Sequence, residues 1–539
     1  MQCFARSKAA RWAAFWLTAL LAAAFAGALA PASAHAQDAA HSPCIATVEQ
    51  RAAYAADGTL DEREAFQESL GNDEPSPGLV QQALAREQAQ NGIAPNAVPG
   101  DDGGMAAIGN AHVVALRVSF PDRPFAEEDT LEALQALIGP RAVGEAALPS
   151  AGGFPYENLH DYYLRASYGA LTVTGEAFDY AAQHERDFYT ANIGQLYKEA
   201  LDHLEASGID LARFDANGDG RIDAVYLHFA GGDTGWGSVW WSNEQVLDVP
   251  DAVYADGTVR LWNAVALSNP CDQPWAAQTI IHETGHVLGL PDYYQYASQQ
   301  GGSADRTGIL TFDIMMQNQG DHNGFSKWML GWLPDSKITR IFANETGIDV
   351  KRDGKVVQHV DATADGSSSV EAALEAFASN DIDETGGIVV VANQDASMFS
   401  SYYLLQYDRF AGNQSVRYEQ DGQPAELPSG FRLFRVQADL GSGGPYFVHS
   451  NTYGTVHNQL IELVDPDMNE PHAESTDLVP AAIGSREYGC MLYAGDEVSP
   501  RGYPSTNFFE NANVGFTGLT IAVTESRADG GTLNISYSN

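Results

Sequence analysis

One eleven-residue stretch constrains this chain more than any other: His282-Glu283-Thr284-Gly285-His286-Val287-Leu288-Gly289-Leu290-Pro291-Asp292. On a helix, residues four apart share a face, so His282 and His286 can bring both imidazoles to one metal ion while Glu283 sits beside it. Among 14 histidines in 539 residues, about 0.3 such pairs arise by chance, and about 0.02 with a glutamate after the first histidine. The apolar spacing predicts a helix from Ala276 to Leu288, ended by Gly289 and Pro291. A catalytic zinc site needs a third protein ligand and an open position. No glutamate occurs between Glu283 and Glu345, which excludes a third ligand of that type on a following helix. Asp292, six residues past His286, is the acid that a tight turn at Gly289 brings back to the metal.

Two imidazoles and a carboxylate would leave zinc one site for water and lower the pKa of that water to about 7. Glu283 would then act as general base, taking the water proton and returning it to the leaving amine. Tyr293, Tyr294 and His322 are near enough in sequence to be weighed as oxyanion donors, although packing is the ordinary use of such residues. Downstream, FDIMMQNQG offers a methionine loop, with Met315 expected beneath the metal and Met316 as the alternative. A pair of methionines is by itself usual core filler.

The spacing of His282, His286, Gly289 and Asp292 resembles the metzincin layout HExxHxxGxx(H/D), whose members carry a methionine turn. More specifically, HETGHVLGLPDYY, FDIMMQNQGDHNGFSKWMLGW and YLRASYGALTVTGE resemble the immune inhibitor A-type secreted metallopeptidases. The likeness runs from about His112 to the end, because SYYLLQYDR, GFRLFRV and NQLIELVD are similar to the β-rich region that follows the catalytic part in that family. The resemblance implies a zinc endopeptidase made with a signal and a pro-region. It would have His282, His286 and Asp292 as ligands, Glu283 catalytic and Met315 in the turn.

A second metal is expected at FDANGDGRID. Asp215, Asn217, Asp219 and Asp223 occupy alternate positions of a calcium-loop pattern, with Gly220 at the sharp turn and Arg221 offering its carbonyl. Tyr226 stands where an EF-hand needs glutamate, and a strand is expected next, so the expectation is structural calcium in a different kind of loop. A turn needing no ion is the alternative.

Composition narrows the partners. Lys and Arg number 29 against 71 Asp and Glu, a net charge of −42, which argues against nucleic acid and anionic membranes. Arg6, Lys8 and Arg11 precede an apolar run from Trp12 to Ala30 and the small-residue site Ala34-His35-Ala36, the pattern of a cleaved export signal. No membrane association is expected once it is removed. Cys44, Cys271 and Cys490 then remain, permitting one disulfide of undetermined pairing. Cys44 as a latency thiolate is the lesser alternative. The tryptophan-rich run Gly235 to Asn243 suits core packing better than a substrate cleft.

The expected architecture is α+β: residues 1–36 signal peptide, 37–107 pro-region, 108–335 a metzincin-like zinc protease domain with a mixed twisted sheet and an active-site helix, and 336–539 a β-rich, sandwich-like region. Strands are expected at His112 to Phe120, Ala224 to Phe229, Gly387 to Val391, Tyr402 to Tyr407, Phe431 to Val436 and Leu519 to Val523, and helices near Glu157 to Ala166 and Ile193 to Ala206. The expected activity is that of a secreted, monomeric zinc endopeptidase acting on proteins or peptides, with zinc and structural calcium as cofactors. A non-enzymatic surface or secreted binding protein on a zincin scaffold is the main rival, and a zinc hydrolase of small substrates the third reading.

Overall fold

Three helices open the structure, a computed structural model: α1 (Val48–Asp57), α2 (Leu60–Leu70) and α3 (Pro77–Gln90). Described are residues 46, 48–90, 104–140, 158–268, 271, 276–294, 296, 309, 313–375, 386–415, 417–420, 423–426, 429–452, 459–464, 491–500, 508–510, 513–515 and 517–538. The expected signal peptide, Cys44, Cys490 and most of the Gly/Pro-rich linker lie outside them. Gly71, with φ at 84°, caps α2 in the left-handed region, and Pro77 opens α3 where its missing N–H costs nothing.

The following elements build the first sheet: β1 (Gly109–Ser119), α4 (Leu131–Ile138), α5 (Leu159–Ala166), β2 (Leu171–Ala181), α6 (Ile193–Ala206), β3 (Val225–Phe229), β4 (Asn243–Val246), the short pair β5 (Val253–Tyr254) and β6 (Val259–Arg260), β7 (Asn263–Leu267) and α7 (Ala276–Val287). Its order is β2-β1-β3-β7-β4. Four strands are parallel, and β4 runs antiparallel to β7 at one edge. Both faces are buried, as parallel strands require. Along β1, Ala111, Val113 and Ala115 join the core that contains α7, while Val114, Leu116 and Val118 join the core that contains α6. The alternation read from the sequence therefore separates two layers of helices. The expected helices near 157–166, 193–206 and 276–288 are α5, α6 and α7.

Two short helices, α8 (Ile314–Gln317) and α9 (Gly324–Met329), lead into the β-rich part. There β8 (Ile338–Asn344), β9 (Gly347–Arg352), β10 (Lys355–Asp361), β11 (Ser368–Glu375), β12 (Ile388–Ala392), β13 (Ser401–Asp408), β14 (Arg417–Gln420), β15 (Gln423–Glu426), β16 (Gly430–Gln437), β17 (Ile461–Leu463), β18 (Glu497–Val498), β19 (Phe508–Glu510), β20 (Asn513–Gly515), β21 (Leu519–Arg527) and β22 (Gly530–Tyr537) follow. A seven-stranded sheet, β10-β9-β8-β12-β13-β16-β17, and a four-stranded one, β11-β22-β21-β18, share a core through Val389, Val391, Tyr403 and Leu405 on one side and Leu519, Ile521, Leu533 and Ile535 on the other. This is sandwich packing. The opposite face of the larger sheet, with Val390, Tyr402, Leu404 and Phe434, enters the core that holds α7 and α9. Leu79, Val80 and Ala83 of α3 belong to that core too, each of the two larger side chains contributing ~1.5–3 kcal/mol on burial.

The described residues belong to one compact unit, Ser42–Asn539, and the molecule is mixed α+β with several sheets. No helix among the described residues is long and apolar enough to cross a membrane.

Candidate metal centre

Helix α7 is anchored before its histidines are placed. Tyr226 of β3 hydrogen-bonds the Thr284 hydroxyl at 2.7 Å, and the Tyr163 hydroxyl of α5 donates to Ile281 O at 2.8 Å. All twelve residues of the helix are buried. Gly289 then takes φ of 87°, where an added Cβ would lie 2.4 Å from Ser76 Oγ. Glycine is therefore required twice over, for conformation and for room. The turn returns the chain to the helix through Leu290 N to Gly285 O, 2.9 Å, and delivers Asp292.

Three ligand atoms converge there. His282 Nε2 and His286 Nε2 are 3.1 Å apart, and Asp292 Oδ1 lies 3.1 Å from the first and 3.3 Å from the second. A tetrahedral ion with bonds of 2.0 Å has ligand-to-ligand edges of about 3.3 Å, so this triangle matches one face of such a shell. Tautomers point the same way. His282 Nδ1 meets Ile314 O at 2.7 Å and His286 Nδ1 meets Leu290 O at 2.8 Å. A carbonyl only accepts, so each Nδ1 carries a proton and Nε2 is the nitrogen that each ring turns inward for a metal. Asp292 Oδ1 is buried without a hydrogen-bond partner, whereas Oδ2 accepts from Tyr296 OH at 2.6 Å. Three acceptors facing one point repel one another unless a cation stands between them.

The charges respond accordingly. Burial works against a charged His286, yet Asp292 and Glu283 hold its pKa up at about 9. Burial would raise Asp292, and His286 with His282 instead pulls it well below the usual carboxylate range. In the absence of an ion, His286 and Asp292 thus form an ion pair, the histidine's proton holding the place a metal would take.

No protein-family description and no curated protein matches the chain.

The environment of the triangle includes groups that sequence reasoning missed. Met315, the expected turn residue, lies directly under the helix: a Cβ at Gly285 would be 2.2 Å from its sulfur. It sits on the one-turn helix α8, capped by Asp313 Oδ1 through Met315 N at 2.9 Å. Burial is the main reason Asp313 is raised to about 6. Glu283 is itself buried and close enough to Glu244 and His286 to shift both. Glu244, on the edge strand β4, is raised to about 8 by burial, with His286 opposing and Glu283 adding to the rise. No sequence motif marks it, because it reaches the site only through strand pairing.

The tyrosine and histidine candidates have other partners. Tyr293 OH is hydrogen-bonded to Ser326 Oγ at 2.7 Å. Tyr294 is buried beside Tyr296. His322 sits in an aromatic box of Tyr162, Tyr163 and Trp332 and is kept neutral chiefly by burial. The tryptophan run is core: Trp240 packs on Phe120 and Phe229, and Trp236 and Trp241 pack with Ala46.

The N-terminal segment reaches the same place. Asp292 N donates to Asn72 O at 2.8 Å, Ser76 N to Gly289 O at 2.9 Å, and Asn72 Nδ2 to Glu244 O at 3.2 Å. Residues 72–76 thus bridge the ligand turn and the edge strand. A cavity of ≈ 100 Å³ remains between them, lined by Asn72, Glu74, Ser76, Glu244 and His286.

The expected calcium loop closes on itself. Asp215 accepts from Gly218 N, Asp219 N and Gly220 N, Asn217 Oδ1 from Asp219 N, and Asp219 Oδ1 from Arg221 N, all at 2.8–3.0 Å. Asp223 turns to His112 N at 2.7 Å and Ala216 N at 3.2 Å. Burial, reinforced by Asp215 and Asp219, raises Asp223 to about 7. Among the described residues, the groups of three His, Cys, Asp or Glu side chains whose ligand atoms lie within 4.8 Å of one another are His282/His286/Asp292 and Asp129/His228/Cys271. The three aspartates of the loop, Asp215, Asp219 and Asp223, are not among them.

Proposed function

We propose that this protein is an exported zinc endopeptidase, metzincin-like in its catalytic part and of the immune inhibitor A type. The observation that carries the reading is the 3.1–3.3 Å triangle of His282 Nε2, His286 Nε2 and Asp292 Oδ1, with both Nδ1 atoms locked on carbonyls. Zinc in such a three-ligand site supplies a Lewis acid with an open position, able to acidify water and polarise a carbonyl. The chain supplies the rest. His282 and His286 bind through fixed tautomers, Tyr296 orients Asp292, and Glu283 accepts the proton of the attacking water and delivers it to the leaving amine. Supporting the metzincin likeness are Met315 beneath Gly285 and an antiparallel edge strand beside the metal helix.

The test is cleavage of an unfolded protein such as casein by the full chain. Glu283→Gln is expected to keep its zinc and lose at least about 10²-fold in turnover, and a zinc chelator to abolish cleavage. Zinc binding with no cleavage of proteins or small esters and amides would favour a binding protein on a zincin scaffold. Cleavage restricted to small substrates would favour the third reading.

Calcium in the Asp215–Asp223 loop is part of the same proposal, supported by the run of acidic oxygens there and by the raised Asp223, which burial chiefly and its neighbours Asp215 and Asp219 additionally push up. Calcium-selective chelation is expected to lower the melting temperature of the wild-type chain and leave Asp215→Ala unchanged. Equal responses in both would remove calcium from the assignment.

A further inference from the structure

A second cluster lies at the carboxyl ends of the parallel strands, on the sheet face that α7 covers. His228 is the fourth residue of β3, where Leu227 and Phe229 turn to the α6 side and Tyr226 to the α7 side, so strand alternation gives His228 the face of Tyr226. Asp129 immediately precedes the N-cap of α4, and Cys271 follows β7 and precedes α7. All three are buried, His228 at 1%, Cys271 at 2% and Asp129 at 5% exposure, and one ligand atom from each lies within 4.8 Å of the others.

His228 Nδ1 faces Leu267 O at 3.3 Å, an acceptor able to hold the ring proton at Nδ1 once Nε2 binds a metal. That Nε2 lies 2.7 Å from Asp129 Oδ2, and since a carboxylate only accepts, Nε2 carries the proton of this contact in the absence of an ion. Asp129 Oδ1 is buried with no hydrogen-bond partner. The unpartnered carboxylate oxygen and the nearby sulfur suit the cluster to a metal: thiolate, imidazole and carboxylate together form a zinc-type donor set.

We propose that Asp129, His228 and Cys271 hold a second zinc ion that braces the fold. An ion there ties the segment before α4 and the lead-in to α7 onto β3, steadying the helix that carries His282 and His286. Binding displaces the Cys271 thiol proton and the proton that His228 Nε2 shares with Asp129, and widens that 2.7 Å contact towards the tetrahedral edge of about 3.3 Å.

Cobalt substitution in the full chain tests this, because the His282/His286/Asp292 set contains no sulfur. A thiolate-to-cobalt charge-transfer band in the near ultraviolet is expected for the wild type, retained in Cys44→Ser/Cys490→Ser and absent from Cys271→Ser. His228→Gln and Asp129→Asn keep the thiol and are expected to weaken cobalt binding at this site at least tenfold, which decides the matter if Cys271→Ser does not fold. Zinc analysis is expected to give two ions per wild-type chain and one in His282→Ala/His286→Ala. One zinc in the wild type, a charge-transfer band that survives Cys271→Ser, or Cys271 recovered in a disulfide would each overturn the second site.

Discussion

Glu244 shows how much a single buried carboxyl can say. Burial lifts its pKa from 4.5 to about 8, so the proton it binds in the folded chain stabilises that chain. This contribution is complete below pH 4.5 and is lost as pH rises through about 8. In metal-free protein, the wild type is therefore expected to lose stability across that window, and Glu244→Gln to lose less. Above pH 8 the variant should be more stable by ~2–4 kcal/mol in chemical denaturation, and identical pH profiles would remove the burial argument. Nothing in the sequence singles out Glu244, since it reaches His286 only through strand pairing. By contrast His282, Glu283, His286 and Asp292 were legible because helical period and a glycine turn place them by local rules. Tyr296 and the carbonyls of Ile314 and Leu290, which orient those ligands, were not, because main-chain acceptors have no residue code.

At the scale of elements, local patterning predicted what it could. The amphipathic runs gave α6 and α7, and the alternation along 112–120 gave β1. The strands β4 to β7 are two to five residues long, too short to show a period, and α4 has only eight residues. The N-terminal region was readable as helix-prone, but its docking was not, because that rests on contacts some 170 residues away in sequence. Arg63 of α2 donates to Trp236 O at 2.6 Å, Gly235 O at 3.1 Å and Thr234 O at 3.2 Å, clamping the segment that carries Asn72 and Ser76 over the metal turn. Bonds from a charged donor contribute ~1.5–3 kcal/mol each when well formed. If residues 72–76 obstruct the centre, Arg63→Ala should raise casein cleavage by the full chain about fivefold to tenfold, with faster amide exchange across residues 60–76. Faster exchange at unchanged turnover would make the segment a brace and not a barrier.

Across the whole molecule, the candidate metal centre shares a core with a sheet of the β-rich C-terminal region. The seven-stranded sheet is buried on both faces, against the four-stranded sheet and against α7 and α9. Gln406 Oε1 of β13 accepts from Gly324 N, the first residue of α9, at 2.7 Å. Asn413 joins Tyr162 O at 3.1 Å and Arg165 Nε at 3.0 Å, tying the β-rich part to α5, which in turn holds α7 through Tyr163. Such continuity predicts one cooperative unit. Gln406→Leu leaves the buried Gly324 N–H without its acceptor and is expected to cost about 1–3 kcal/mol. Because α9, α5 and α7 share that core, the loss should appear as a lower midpoint of a single transition, with zinc release and tyrosine exposure melting together. Two separated transitions, with zinc retained through the first, would show instead that the sandwich folds apart from the metal centre and that the shared core is only a contact between neighbours.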